Sequence, residues 1–286
     1  MNKNRYILTL SCPDVRGIVA SVSGFLAENG GFIIESAQFG DASTGQFFLR
    51  IEFLLEKDSQ SFDELKNLFA AKVADSFSMD WEIVPKDRKS RVLIMVSKFG
   101  HCLNDLLYRH KTGQLAIDIP AIVSNHTDLQ HVARWHDIAF YHLPIGADNK
   151  EQQEADILNL VDKHNIDVVV LARYMQILSA DFCAKMKGRV INIHHSFLPS
   201  FKGAKPYQQA FDRGVKLIGA TAHYVTEDLD EGPIIEQEVA RVDHTSNPED
   251  LAAIGHDTES ITLARALRYH TEHRVLLNGK KTVIFR

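Results

Sequence analysis

Apolar and polar positions along the first third of the chain predict a compact α+β module. From residue 47 to residue 55 apolar side chains alternate with Arg50 and Glu52, which is typical of a strand with one solvated face. Residues 15–26 and 62–77 repeat their apolar side chains at the helical period of 3.6. With three further short apolar strands, the predicted order is βαββαβ, which is that of a ferredoxin-like sandwich.

From Val92 onward the pattern changes to short apolar strands that alternate with helical segments. This alternation predicts an α/β domain with a mostly parallel, Rossmann-like sheet that helices cover on both faces. A charged segment at 86–90, preceded by Pro85, has no apolar face and is the predicted linker. The predicted domains are therefore 5–85 and 91–286, the second ending in a hairpin around Asn278-Gly279.

Composition narrows the class of protein. The chain has 286 residues, 45% hydrophobic and 24% charged, which is ordinary for a globular protein. Its formal net charge of −5 gives no basic field that would attract nucleic acid. No apolar run reaches the roughly 18 residues of a membrane span, and the N-terminus lacks a signal-peptide pattern. Three widely spaced cysteines without a CxxC motif predict reduced thiols and a cytoplasmic location.

The candidate chemistry centres on the segment from Val190 to Pro199, which we interpret as a buried strand that runs into a loop. Asn192 and His194 are two residues apart, so both side chains are expected on the same face near the carboxyl end of the strand. Ligands bind at that end of open α/β sheets. An amide donor beside an imidazole can polarise a carbonyl and handle a proton. A buried pair that only satisfies loop backbone explains the segment equally well.

Three observations argue against a metal or nucleotide cofactor. His194 and His195 are adjacent in a strand, so they are expected to point to opposite faces and to chelate poorly. The acidic residues Glu227, Asp228, Asp230 and Glu231 are interpreted as a solvated turn, and no metal site is predicted. The turn at 97–105 holds one glycine and no GxGxxG or GxxxxGK[ST] motif, which predicts neither a dinucleotide nor ATP.

The segment Cys-Pro-Asp-Val-Arg-Gly-Ile-Val-Ala at 12–20, between a strand and a helix, resembles the opening of an ACT domain. This resemblance implies an amino-acid effector, such as glycine or methionine, near Asp14 and Gly17. It also implies pairing across subunits, and thus a homo-oligomer, dimer or tetramer. Taken singly, Asp14 and Gly17 are better explained as a helix cap and a glycine at a close approach, while a regulatory role is kept for the module as a whole.

Three further segments together resemble the formyltransferase fold of glycinamide ribonucleotide transformylase: 168–178, 191–199, and the pair 223–226 and 229–233. With an ACT-like module in front, the whole chain resembles the formyltetrahydrofolate deformylase family. The resemblance implies hydrolysis of 10-formyltetrahydrofolate to formate and tetrahydrofolate, which supplies formate for purine biosynthesis and balances one-carbon folate pools. No cofactor is implied beyond the folate substrate.

Carried over residue by residue, the resemblance implies that Asn192, His194 and Asp230 are catalytic. The implied folate contacts are Met175, Gln176, Ile177, Leu178, Val225 and Thr226, with His223 lining the site or tuning Asp230.

Two departures from the transformylase pattern favour water as the formyl acceptor. The turn at 98–102 carries Lys98, Phe99, His101 and Cys102 in place of the glycines that hold an acceptor's phosphate. His195 stands where the transformylase motif has proline. Two alternatives stay open, namely formyl transfer to a small amine and a non-catalytic folate or amino-acid sensor.

Overall fold

A computed structural model describes residues 5–56, 61–146, 148–196 and 206–286. The chain divides into two compact units. The first comprises the chain up to Arg88 together with Glu272–Arg286, and the second is Lys89–Thr271.

The first unit is an antiparallel four-stranded sheet with helices, in the sheet order β2-β3-β1-β4. This order and the predicted βαββαβ sequence of elements are those of a ferredoxin-like sandwich. A π-helical turn and a 3₁₀ turn continue the second helix as far as Phe77. The elements are β1 (Arg5–Pro13), α1 (Ile18–Glu28), β2 (Gly31–Asp41), β3 (Gln46–Leu55), α2 (Phe62–Phe69) and β4 (Asp80–Pro85).

The face of β3 that was expected to be solvated is buried instead. Arg50 is only 2% exposed, and it donates to the carbonyl oxygens of Glu272 and His273 at 3.3 and 3.2 Å. Phe48, on the same face, packs with Val283 and Phe285. The prediction of a wet face was therefore wrong because the C-terminal segment covers it.

The predicted extent of the second domain is also wrong at its C-terminus. The segment 272–286, predicted as part of a domain 91–286, belongs to the first unit. Its hairpin is formed by β12 (Val275–Asn278) and β13 (Lys281–Ile284). Apolar packing on Phe48 and the Arg50 bonds hold it there, and an alternating pattern at the end of a chain does not indicate which sheet it will cover.

The second unit is a seven-stranded sheet in the order β11-β10-β9-β8-β5-β6-β7, parallel from β9 to β7. None of the helices that the structure describes is long and apolar enough to cross a membrane. The elements are β5 (Ser90–Val96), α3 (His101–Lys111), β6 (Ile117–Ser124), α4 (Gln130–Trp135), β7 (Ala139–His142), α5 (Lys150–Lys163), β8 (Val168–Leu171), α6 (Ala180–Lys185), β9 (Val190–His194), α7 (Pro206–Asp212), β10 (Leu217–Tyr224), β11 (Ile234–Arg241) and α8 (Pro248–Thr271).

The strand order determines where a ligand can bind. The chain proceeds from β5 to β6 and β7 on one side and returns to β8, β9 and β10 on the other, so the order reverses between β5 and β8. Crevices at such a reversal, outside the carboxyl ends of the strands, are the usual ligand sites of open α/β sheets. The strands β8 and β9 are buried and end at Leu171 and His194, which brings the following loops to this edge.

Candidate active site

The strand register brings together residues that are distant in sequence. Asn192 and His194 lie on β9, and the antiparallel neighbour β10 places His223 directly opposite Asn192. Asp230 comes from the loop between β10 and β11, with a left-handed backbone (φ 58°) that aspartate tolerates better than most residues. Three separate segments thus supply one polar cluster.

His194 and Asp230 form the central ion pair. Nδ1 of His194 lies 3.2 Å from Oδ2 of Asp230. Burial raises the pKa of Asp230, but hydrogen bonds from His194 and His223 and their charges outweigh it and hold that pKa well below its usual range. The carboxylate can therefore only accept, so Nδ1 of His194 carries a hydrogen. Nε2 of His194 is buried and has no partner among the described residues, so it remains for a substrate atom.

His223 connects the other two members of the cluster. Its Nδ1 lies 2.8 Å from the carbonyl oxygen of Tyr224, to which it can only donate. In the neutral ring Nε2 then accepts from Nδ2 of Asn192 at 3.3 Å. The same Nε2 lies 3.6 Å from Oδ1 of Asp230, so a protonated His223 would turn to the carboxylate instead. His223 is only 2% exposed, and its Nε2 lies between the Asn192 amide and the Asp230 carboxylate.

A cavity of about 540 Å³ opens onto the cluster. This volume is within the usual range for a small-molecule site. Three large apolar side chains of the lining remain more than half exposed, namely Met175, Ile177 and Leu229. All residues predicted as catalytic or folate-contacting line this cavity: Met175, Gln176, Ile177, Leu178, Asn192, His194, His223, Val225, Thr226 and Asp230.

Residues that the sequence did not single out hold the 173–178 loop. Oγ of Ser97, just beyond β5, accepts from the backbone N–H of Met175 at 3.0 Å and donates to Oδ1 of Asn125 at 2.7 Å. Ser97 and Asn125 are both buried. Their position directly after β5 and β6 could have indicated that they lie near the site, because the carboxyl ends of these strands meet at the same edge of the sheet.

The expectation that His194 and His195 point to opposite faces was wrong. Their rings stack with centroids 4.8 Å apart and planes 22° apart, and both line the cavity. Because β9 ends at His194, strand alternation does not extend to His195. The rest of the motif, Phe197 to Pro199, lies outside the described residues.

A buried polar network lies behind His195. Nη1 of Arg173 donates to Nδ1 of His195 at 3.0 Å, and Nε of Arg173 is 3.5 Å from Oε2 of Glu259. Glu259 also accepts from His101 at 2.8 Å and from Tyr207 at 2.7 Å. None of these contacts was predicted. Glu259 lies on the buried stripe of α8 with residues 251, 255 and 263. This helical spacing could have indicated from the sequence that Glu259 is buried.

The donor atoms of His101, Cys102 and Glu259 lie within 4.8 Å of one another, a spacing that a metal ion could use. Both carboxylate oxygens of Glu259 already accept hydrogen bonds, and the Arg173 guanidinium stands close by. Burial and the charge of Glu259 raise the pKa of the Cys102 thiol well above its usual range, which disfavours a thiolate ligand. This donor set fits a hydrogen-bonded ion-pair network better than a cation site.

The predicted effector residues lie in the first unit at the start of α1. Gly17 precedes the helix with φ 96°, a conformation that favours glycine. Oδ2 of Asp14 lies against Gly40, only 2.6 Å from where a Cβ would stand. Local structure therefore explains why each of these residues stands at its position, and their regulatory role stays a prediction.

The fold and the polar cluster together indicate the class of protein to which this chain belongs. A parallel sheet with Asn, His and Asp side chains converging beside a cavity is suited to chemistry at a carbonyl group, and the family model described as formyl transferase matches residues 90–267. A glycinamide ribonucleotide transformylase 1 from Symbiobacterium toebii superposes with a TM-score of 0.65 at 27% identity, covering 69% of this chain and 95% of that one.

Proteins that match this chain over its full length identify the family more narrowly. A formyltetrahydrofolate deformylase from Corynebacterium sp. (strain P-1) is 50% identical over 282 residues, which is 99% of this chain and 98% of that protein. The crystal structure of formyltetrahydrofolate deformylase from Burkholderia mallei superposes with a TM-score of 0.95 at 52% identity, covering 99% of this chain and 100% of that one. The chain belongs to the formyltetrahydrofolate deformylase family.

Proposed function

We propose that this protein hydrolyses 10-formyltetrahydrofolate to formate and tetrahydrofolate, with Asn192, His194 and Asp230 as its catalytic residues. The observation that carries the proposal is the convergence of these three side chains on one cavity, with His194 bonded to Asp230. In the reaction the C–N10 bond breaks and a C–O bond to water forms. N10 gains one proton, formate leaves as an anion, and one proton passes to solvent.

The formyl oxygen becomes an oxyanion when water adds to the carbonyl carbon. Asn192 carries two amide hydrogens on Nδ2, one directed to His223 and one left for this oxygen. His194 can donate from Nε2 only when the ring is doubly protonated, because Nδ1 is already committed to Asp230. The ion pair of Asp230 and protonated His194 is therefore the active form, and loss of one such donor typically costs about 3 kcal/mol.

Asp230 acts first through its charge. A carboxylate whose pKa is held low by two histidines is a weak base in the resting site. Its basicity rises once His194 gives its proton to the leaving nitrogen, because the cation that stabilised the carboxylate is then gone. Asp230 can then take a proton of the water that has already added to the carbonyl carbon, so that the adduct collapses to formate as the C–N10 bond breaks, and a base in such a role is worth about 10²–10⁴-fold in rate.

The lining of the cavity suits a folate. The side chains of Met175, Ile177 and Leu229 offer apolar area to a flat aromatic ring system. Release of formate would supply purine biosynthesis and return tetrahydrofolate to the one-carbon pool. The same site could serve formyl transfer to a small amine, or folate binding without turnover, and product measurements with and without an amine separate these outcomes.

The test is incubation of the purified chain with 10-formyltetrahydrofolate and no other acceptor, with formate and tetrahydrofolate both quantified. We expect the two products in equal amounts. A second sample receives a small primary amine. Formylamine appearing faster than formate would favour a transferase, and tight folate binding without either product would favour a sensor.

The first unit is proposed to bind an amino acid near Asp14 and Gly17 and to pair with a second copy. Support for pairing comes from β2, an edge strand that leaves Phe32, Ile34 and Phe39 exposed. Sedimentation is expected to give a dimer or tetramer, and a monomer at micromolar concentration would contradict it. Glycine or methionine is expected to change the rate of formate release in the wild type and not in Asp14→Ala.

A cytoplasmic location is proposed from the cysteine pattern. Cys12, Cys102 and Cys183 are buried free thiols, the form expected in a reducing compartment. Fractionation of cells followed by immunodetection tests it, and recovery outside the cytoplasm would contradict the proposal.

A further inference from the structure

Glu259 is a fully buried carboxylate that the proposed reaction does not use. It lies in the middle of α8 and is 0% exposed. Its partners come from three other segments, His101 on α3, Tyr207 on α7 and Arg173 after β8. A buried ion pair seldom stabilises a fold more than apolar packing of the same volume would. Its position beside a reactive cluster points to a role in function.

Arg173 contacts both Glu259 and His195 and thereby links the buried carboxylate to the ring. A guanidinium has donors and no acceptor, so the 3.0 Å contact from Nη1 of Arg173 requires a lone pair on Nδ1 of His195. His195 must therefore be neutral, with its hydrogen on Nε2. Burial, then the charges of Arg173 and His194, lower the pKa of His195 to about 4, in agreement with this geometry.

His195 in turn stacks on His194, with ring centroids 4.8 Å apart. A second cationic ring at that distance would oppose the positive charge that His194 needs in order to donate from Nε2. Among the described residues, the charged or titratable groups at this pair are Asp230, His223, Arg173 and Glu259, with Glu227, Asp228 and Glu231 also lining the cavity. His101, Cys102, Tyr207 and His256 lie on the far side of Glu259. Of all these groups, Arg173 is a permanent cation, and Glu259 is the buried carboxylate beside it.

We propose that Arg173 and Glu259 are positioning residues for the hydrolysis: Arg173 fixes His195 as a neutral ring against His194, and Glu259 neutralises Arg173, so that positive charge is confined to His194. The inference rests on the proposed function. It assigns these two residues a role in the charge state of the reactive pair, without contact with the substrate.

The first test is Glu259→Gln, which keeps the shape and one of the two acceptor oxygens and removes the charge. The uncompensated guanidinium should disfavour protonated His194. We therefore expect kcat to fall about 10–100-fold, with KM for 10-formyltetrahydrofolate within about twofold. The alkaline limb of the kcat profile should move down by about one pH unit, since the active cation is lost earlier. An unmoved limb would overturn the proposal.

The double variant Arg173→Met/Glu259→Gln separates charge from structure. It removes both charges, so the alkaline limb should return to the wild-type pH even if kcat stays low. A purely structural role predicts instead that the double variant is worse in every respect and that its limb does not return. Glu52→Gln is the matched control, because Glu52 is a buried, ion-paired carboxylate of the first unit (3% exposed). It should leave kcat and the limb unchanged.

A measurement independent of turnover uses ¹⁵N-histidine NMR of the wild-type protein, with the His195 signals assigned from His195→Gln. We expect the neutral Nε2–H form of His195 from about pH 5 to 8. In Arg173→Met the pKa of His195 should rise toward the ordinary value of about 6.5 and stay below it, because burial of the ring still lowers it. Wild-type His195 titrating near 6.5 would overturn the proposal even if the Glu259 variant failed to fold. Failure of the proposed function would show separately, as wild-type protein that releases no formate.

Discussion

At the scale of single residues, the proposed reaction gives each of the two amide hydrogens of Asn192 its own acceptor. One is directed to Nε2 of His223 across the strand pair, at 3.3 Å, and this contact fixes which end of the amide faces the cluster. In the proposed reaction the other is donated to the formyl oxygen. Orientation of the donor is therefore set before substrate binds, which is the condition for efficient stabilisation of an oxyanion.

Replacing Asn192 by alanine removes this donor without touching the His194–Asp230 pair. We expect kcat to fall about 10²–10³-fold with little change in KM, because the interaction is made mainly in the transition state. Steady-state formate release measures it. Asn67→Ala, on the exposed side of α2, is the control and should be unchanged. A rise in KM at constant kcat would show that Asn192 only binds substrate.

The pH dependence of Asp230 follows from the direction of its shift. Its pKa lies below the ordinary 3.8, because the hydrogen bonds and charges of His194 and His223 outweigh burial. The charged form therefore persists as pH falls, and its contribution to stability is present above 3.8 and lost only below it. We expect no loss of kcat from Asp230 protonation down to about pH 5. Rate profiles paired with thermal unfolding at each pH check this, and an acid limb that follows Asp230 above pH 5 would refute it.

At the scale of elements, α8 carries a glycine in its interior for a visible reason. A Cβ at Gly255 would stand 2.0 Å from the hydroxyl oxygen of Tyr207 and 2.3 Å from its ring. Tyr207 needs this space to reach Glu259, one helical turn further along. The helix thus tolerates a glycine, at a cost of about 1 kcal/mol relative to alanine, to seat a side chain of the buried network.

Gly255→Ala and Gly24→Ala form a matched pair of helix-interior substitutions. A Cβ at Gly24, on α1, would meet no other atom within 4 Å. We expect Gly24→Ala to raise the free energy of unfolding by about 0.5–1 kcal/mol. Gly255→Ala should lower it by about 1–3 kcal/mol and reduce kcat, because the rigid ring must move. Urea unfolding measures both, and a stabilised Gly255→Ala would contradict the packing described.

The helices and strands could largely be predicted from the sequence, whereas the contacts between residues on different strands and helices could not. The period of two placed Asn192 and His194 on one face, and both line the cavity. No local pattern indicates that His223 lies opposite Asn192, because strand register depends on the whole sheet. A glutamate within a helical pattern also reads as solvated, so the burial of Glu259 could be suspected only from its position on the apolar stripe of α8.

At the scale of the whole molecule, the C-terminal hairpin is the main departure from the predicted organisation. The chain leaves the second unit after Thr271 and ends in the first. There Asn278 donates to Asp41 at 2.7 Å, and Phe285 helps to cover Phe48. Sequence order suggested two successive domains, but packing of a terminal segment depends on which apolar surface remains uncovered.

Truncation after Thr271 tests this assignment. Loss of the hairpin should expose Phe48 and deprive Arg50 of two carbonyl acceptors, destabilising the first unit by at least about 3 kcal/mol. Hydrogen–deuterium exchange should show faster exchange in peptides of β3 and unchanged exchange in those of β8 and β9. Loss of protection confined to β9 would contradict the division into units.

In the proposed reaction, the cluster of Asn192, His194 and Asp230 catalyses attack of water on a bound formyl group. The most direct measurement is the single-turnover rate of formate release by Asp230→Asn, with folate binding measured on the same sample and Asp181→Asn, a surface residue paired with Lys185, as control. We expect a rate about 10²–10⁴-fold below wild type, with the folate dissociation constant changed by no more than about threefold. Formate release by Asp230→Asn at the wild-type rate would contradict it.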